Sequence, residues 1–308
     1  YPLSLNQVVQ SVWGGASGQS PADVVIWNLR LPRLFAALVV GAALAASGAT
    51  YQAMFRNPLV SPDILGVSAG AGLGAVLALY LSLPLLGVQV LAFMGGLAAV
   101  GFVYVIALSS RRYDPILLLV LAGVAISTLL GACISLLKII SDPYTELPSI
   151  TFWLLGGLNL VGYQELQVAV PIILIGVVPL WLLRWRINLL SLNELEAQAL
   201  GVPTHRLRAG LVICATLMTA AAVSFTGIIG WVGLVIPHMA RLVVGPEFSR
   251  LLPTSLLMGA IFLVFTDSFA RNVAFMELPL GVVTALIGAP FFLYLLLYML
   301  SFLLISKY

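Results

Sequence analysis

Long apolar runs separated by short polar breaks fill the sequence from one end to the other. They centre on residues 34–55, 64–83, 88–108, 116–137, 166–183, 207–224, 228–244, 255–269 and 281–300. A helix of about 20 mostly apolar residues crosses the roughly 30 Å of hydrocarbon in a bilayer. The pattern therefore predicts about nine transmembrane helices. The stretch 150–163 is amphipathic, glycine-rich and too short of apolar length to cross, and is expected to lie at the interface or to re-enter from one side. The longest polar interruption runs from 184 to 208.

Composition turns this pattern into a fold class. Of 308 residues, 61% are hydrophobic and 8% charged, with a mean hydropathy of +1.12. Such a chain cannot hide its apolar surface in one aqueous core, so its solvent is lipid. The expectation is an all-α polytopic transmembrane helix bundle forming a single domain over 1–308, its partners including membrane lipid. A net charge of +3 from scattered basic residues offers no patch for nucleic acid. Cys133 and Cys214 stand singly in apolar runs and are expected to pack.

The placement of the basic residues is more telling than their number. Lys and Arg are retained in cytoplasmic loops. One set of alternate loops holds Arg56, Arg111, Arg112, Arg184, Arg186, Arg206, Arg208, Arg241, Arg250 and Lys307; the other holds Arg30, Arg33, Lys138 and Arg271. The first set is assigned to the cytoplasm, which puts the amino terminus outside and the carboxyl terminus inside. Tyr1 is not an initiator methionine, and an earlier helix would restore the usual cytoplasmic start. Gly66, Gly70 and Gly74, four apart, predict one close-packing helix face. Pro58, Pro62, Pro237 and Pro290 interrupt apolar runs, which lipid tolerates only where protein or a water-filled cavity satisfies the freed backbone groups. An ordinary kink explains them equally well.

Candidate chemistry is sparse. No GxxxxGK[ST] loop is present, and Lys138 and Lys307, the only lysines, follow no glycine-rich turn, so the chain is not expected to hydrolyse ATP. His205 and His238 have no acidic or cysteine partner nearby in sequence, leaving no metal site, and no GxSxG elbow appears. Asp267 alone lies well inside a span, and Arg271 follows four residues later on the same face. An ion pair holding the helix end is favoured there over a proton relay. In 184–208, Ser191 and Glu194 make a capping-box pattern, Gly201 can end a short helix and Pro203 can begin the next. The pattern predicts two short surface helices with a glycine hinge, either docking a partner or resting on the membrane interface.

These residues also resemble a family: the type II ABC importer permeases for iron-siderophore complexes, haem and vitamin B12. The likeness begins at 29–33 (LRLPR), continues through 41–71 (GAALAASGATYQAMFRNPLVSPDILGVSAGA), and resumes at 153–157 (WLLGG) and 194–201 (ELEAQALG). Its strongest stretch, 226–290, contains GIIGWVGLVIPHMAR, TDSFAR and ELPLGVVTALIGAP. The resemblance implies a homodimeric permease of the bacterial inner membrane, with ten helices per subunit in the family, one of them before LRLPR and missing here. It also implies two cytoplasmic ATPase subunits, which use ATP and Mg while this chain holds no cofactor, and a periplasmic substrate-binding protein. By resemblance, Glu194, Ala197, Leu200 and Gly201 belong to the coupling segment that meets the ATPase. Arg30, Arg33 and Arg271 match outer-face arginines that pair with acidic residues of the binding protein. Glu277 with Pro279 would shape the outer turn before the last span, and His238 and Arg241 would be structural.

Three functions are thereby set against one another. A metal-chelate permease needs a partner ATPase; an ion-coupled secondary transporter would work alone on a gradient; a membrane scaffold would carry no flux. Within the first, the resemblance leaves siderophore iron, haem and cobalamin open, and some relatives carry oxyanions such as molybdate.

Overall fold

The computed structural model of the chain describes residues 3–14, 20–109, 115–192, 194–274 and 276–305. Arg111, Arg112 and Lys307, which contributed to the loop-charge argument, lie outside the described residues, as does the side chain of Glu194. Helices account for nearly all of what is described, and no strand occurs there. That follows from lipid as solvent, where a spanning backbone must satisfy its own hydrogen bonds.

In chain order the helices are α1 (Leu5–Gly14), α2 (Pro21–Val24), α3 (Leu31–Phe55), α4 (Val67–Tyr80), α5 (Leu85–Ser109), α6 (Pro115–Ile140), α7 (Glu146–Leu155), α8 (Tyr163–Asn188), α9 (Glu194–Ala199), α10 (Thr204–Thr226), α11 (Val232–Val244), α12 (Phe248–Asn272) and α13 (Leu280–Ile305). Six helical stretches are long and apolar enough to cross a membrane: Pro21–Phe55, Leu85–Ser109, Ile116–Ile140, Tyr163–Ser191, Thr204–Thr226 and Phe248–Asn272. Three shorter apolar helices, Val67–Tyr80, Val232–Val244 and Leu280–Tyr294, correspond to the other predicted runs.

Two of those runs are longer than their helices. The run 64–83 opens with a 3-10 turn, Pro62–Leu65, and a left-handed Gly66 before α4 begins. The run 228–244 opens on non-helical backbone, with Trp231 at φ 70°, before α11. The two helices have 14 and 13 residues, about 21 and 20 Å at 1.5 Å per residue. The predicted glycine row divides accordingly. Gly66, at φ +80°, caps α4, whereas a Cβ on Gly70 would lie 2.3 Å from the Gly95 carbonyl oxygen and one on Gly74 2.0 Å from that of Leu91, both on α5. Only the second and third glycines of the row are packing positions.

The LRLPR stretch, expected outside the first span, is helical. A π-helical turn over Val25–Arg30 joins α2 to α3, with the Leu31 amide donating to the Ile26 carbonyl. This wider turn admits Pro32, which has no amide to donate and a ring that crowds the preceding turn. The 150–163 stretch is α7 plus a return loop. Ten residues extend about 15 Å, too little to cross. The loop is stitched inward, the Gly157 amide donating to Thr226 (2.7 Å) and the Leu280 amide to Gly156 (2.9 Å).

α3 is the axis of the bundle. Most of its length from Ala36 to Phe55 is buried, and it packs on α8, α10, α11 and α12. Its approach to α12 is set by Gly41 and Gly259: a Cβ on the first would lie 2.2 Å from the carbonyl oxygen of the second, so the backbones touch, as small residues allow in membrane interfaces.

Candidate functional site

Two polar assemblies stand at opposite ends of α3. At its amino end, on the face expected to lie outside, Arg33 projects toward α12. Its Nε and Nη2 donate to Asp267 at 3.0 and 2.8 Å, both to Oδ1, and its Nη1 donates to Glu277 Oε2 at 2.9 Å. Arg271 Nε lies 3.1 Å from Asp267 Oδ2, an ion pair without good hydrogen-bond alignment. The Asp267 side chain is 4% exposed and that of Arg33 13%, against 50% for Glu277. A carboxylate so deep is tolerable only when paired, and two guanidiniums serve it. Arg33 presents the planar fork that lets one cation hold two carboxylates, which a lysine could not reproduce.

The expected Asp267–Arg271 pair is therefore present, but Arg33 contributes more contacts to it. Of the three arginines singled out, Arg33 and Arg271 converge on one carboxylate, whereas Arg30 ends the π-helical turn and is exposed. Glu277, read as shaping the outer turn, does so by tying the α12–α13 loop to Arg33.

At the other end of α3, Arg56 follows the helix in the left-handed conformation, φ 49°. Its Nε donates to the Leu190 carbonyl at 2.6 Å and its Nη2 to the Leu192 carbonyl. Asn188, the last residue of α8, accepts from the Phe248 amide at 2.6 Å and donates to Ser249 Oγ at 3.0 Å. Arg241 on α11 donates to Gln52 Oε1 at 2.9 Å, and Gln52 in turn to the Leu234 carbonyl. Among these groups lies a cleft of about 530 Å³, lined in part by Arg56, Asn188, Ser191, Arg241 and Glu247.

The 184–208 segment departs from its expected form in two respects. Ser191 is not a helix cap, because it sits in a 3-10 turn (Leu189–Ser191) and its hydroxyl donates to the Asn188 carbonyl, while α9 begins only at Glu194. Nor is there a second short helix, since the residues after Pro203 form the first turn of the long α10. The glycine stop is as read: Gly201 has φ +79°, and the Gly201 and Val202 amides donate to Gln198 (2.9 Å) and Ala197 (3.1 Å), a left-handed helix end. Ala197 is buried against the bundle and Leu200 is exposed.

Sequence reasoning missed Arg33–Asp267 and the Arg56 fork. Asp267 carried a signal, a lone carboxylate in an apolar run, but nothing in the sequence named its distant partner. Among the described residues no three His, Cys, Asp or Glu side chains gather as a metal site.

Residues 1–298 match the FecCD transport family. The chain belongs to the FecCD transport family. A cobalamin import system permease of Halobacterium salinarum is 46% identical over 276 residues, covering 89% of this chain and 74% of that protein. A molybdate import system permease of Haemophilus influenzae is 40% identical, covering 95% and 87%. A solved structure described as an inward-facing conformation of a metal-chelate type ABC transporter superposes with a TM-score of 0.86 at 38% identity, over 96% of this chain and 97% of that one. This FecCD chain is a multi-pass membrane permease of the ABC importer class, and the ion-coupled and scaffold readings give way to that membership.

Proposed function

We propose that this chain, as a homodimer in the bacterial inner membrane, forms the translocation pathway for a metal chelate, with nine crossings supplied by the six long and three shorter apolar helices. ATP and Mg are used by two separate cytoplasmic subunits, and a periplasmic binding protein delivers the substrate. The observation that carries the reading is the near-complete superposition on the metal-chelate type transporter. Substrates consistent with the relatives are cobalamin, an iron chelate or haem, with an oxyanion such as molybdate as the second reading, favoured by the Haemophilus relative.

Three features of the chain are consistent with these partners. For α6, 17% of the apolar window is buried within the chain, against 72% for Pro21–Phe55, and a second copy across a central pathway would cover part of what remains. α9 projects its turn at Leu200, so Glu194, Ala197, Leu200 and Gly201 would be the coupling segment. Arg30, Arg33 and Arg271 would form the outer docking site, with Arg30 as its exposed member.

The test is uptake into proteoliposomes holding the permease, its ATPase and its binding protein. Radiolabelled cobalamin, ferric siderophore, haemin and molybdate would be offered in turn, with ATP or a non-hydrolysable analogue inside. Uptake of one of them with ATP alone is expected. Uptake driven by an ion gradient in vesicles of the permease alone would overturn the proposal.

A further inference from the structure

The two polar assemblies are joined by the same pair of helices. At the outer end α3 and α12 are tied by Arg33 and Asp267 at 2.8 Å. Midway, the backbones meet at Gly41 and Gly259. At the other end both helices grip one short piece of chain, residues 188–192, which leads into α9. α3 holds it through Arg56 on the Leu190 and Leu192 carbonyls. α12 holds it through the Phe248 amide and Ser249 hydroxyl on the Asn188 side chain. Ile187 and Leu190 are buried beside these bonds, so the linker is fixed on both its polar and its apolar sides.

Arg56 occupies a position that its backbone does not suit. The Arg56 amide donates to Ala53 and the Asn57 amide to Gln52, the left-handed helix end that usually carries glycine. A side chain there is strained, because its Cβ crowds the following carbonyl oxygen. What the arginine supplies in return is visible: a rigid fork with donors spaced to reach two carbonyls at once, which neither glycine nor a lysine ammonium offers. Strain of this kind is retained where the surrounding structure uses it. Without the fork, the hydrogen bonds from Arg56 to the Leu190 and Leu192 carbonyls are lost.

We infer that α3 and α12 act as one lever between the two membrane faces, and that Arg56 is the positioning residue that fastens the α9 segment to it. Movement imposed on α9 passes through the 188–192 linker into both helices and arrives at the Arg33–Asp267–Glu277 cluster. The inference rests on the proposed contact of α9 with an ATPase. It adds the route and the residue by which that contact is felt on the other side.

The experiment uses the complete permease–ATPase complex in lipid nanodiscs, with Cys133 and Cys214 replaced by serine and a reporter thiol introduced as Asn272→Cys, at the exposed outer end of α12. The rate of labelling by a membrane-impermeant maleimide is compared without nucleotide and after trapping with ATP and vanadate. With Arg56 present, trapping is expected to change the rate by at least about fivefold, the lower edge of ordinary allosteric coupling. In Arg56→Gly, whose backbone is relaxed in the left-handed region, the ATPase should still co-purify and hydrolyse ATP, while the change at position 272 falls toward unity. Arg56→Lys should restore part of it, since an ammonium can hold one carbonyl.

A full nucleotide-dependent change in Arg56→Gly would overturn the inference. So would loss of the ATPase from that variant, because Arg56 would then hold the interface rather than transmit through it. An unresponsive reporter in the parent complex would overturn it as well. Failure of the underlying reading looks different: the parent permease would not retain an ATPase at all.

Discussion

Arg33 and Asp267 lie 234 positions apart in sequence and 2.8 Å apart in space, so the first turn of α3 and the last turns of α12 are held by one ion pair. Its environment sets its value. A carboxylate that is 4% exposed has little water to fall back on, and breaking a buried pair from one side costs about 3–5 kcal/mol because the remaining charge is stranded. Asp267→Ala leaves Arg33 with Glu277 as its remaining carboxylate, so it should shorten the half-life of the detergent-solubilised protein at elevated temperature by less than that full cost, and Asp267→Asn, still an acceptor, should shorten it less again. Half-life is the proper measure because unfolding of such proteins is rarely reversible. Equal half-lives for Asp267→Ala and the parent would show the pair to be incidental.

The same network changes how the outer docking site must be tested. Arg33→Glu would set a third carboxylate beside Asp267 and Glu277, so a failure to dock would not separate lost recognition from lost structure. Arg30→Glu instead reverses the charge at the exposed position of the three. It should slow association with the binding protein and weaken the salt dependence of the rate, as rim charges steer encounter more than they add affinity. Glu277→Gln makes the converse prediction. It removes the exposed carboxylate that competes for Arg33, so association should speed up. Stopped-flow association at low and high salt checks both, and unchanged rates in both variants would remove these arginines from the docking site.

What the sequence disclosed and what it concealed divide along physical lines. The apolar helices were legible because lipid imposes one requirement on every residue of a run, and Asp267–Arg271 was legible because helical spacing brings i and i+4 together. The Gly227–Trp231 bend was not, since hydropathy reports side chains and the unwinding is a property of the backbone. Gly66 was misread as packing because its spacing to Gly70 and Gly74 matches a helix that has not yet begun. Arg56 was hidden by a sufficient explanation: a cation at the end of an apolar run satisfies the positive-inside pattern, and nothing local points to carbonyls at Leu190 and Leu192.

The absence of a phosphate-loop lysine from the sequence predicts that the purified permease, free of any ATPase subunit, hydrolyses no ATP. Phosphate release measured on the isolated chain in nanodiscs should equal that of empty nanodiscs. Turnover that tracks the permease through a sizing column would contradict the division of labour proposed above.

Gly201 offers the sharpest test of the coupling segment, because its surroundings isolate a single cause. It has φ +79°, and a Cβ built there would meet no atom within 4 Å. The Cβ itself is thus resisted by the backbone conformation and not by a neighbouring atom. A β-branched residue in the left-handed region is disfavoured by more than the 1–2 kcal/mol typical of other side chains, so in Gly201→Val the turn should rearrange. α9 would then meet its partner at a changed angle, while the buried bundle, which Gly201 does not touch, stays folded. The expected outcome is an unchanged sizing profile and thermal half-life for the permease, with weakened ATPase retention or less uptake per ATP hydrolysed. Gly201→Asn should fall between the two, because asparagine accepts the left-handed conformation more readily than other non-glycine residues. Normal ATPase retention and normal uptake per ATP in Gly201→Val would remove α9 and its glycine turn from the coupling role, because the turn that ends that segment would have been altered without consequence.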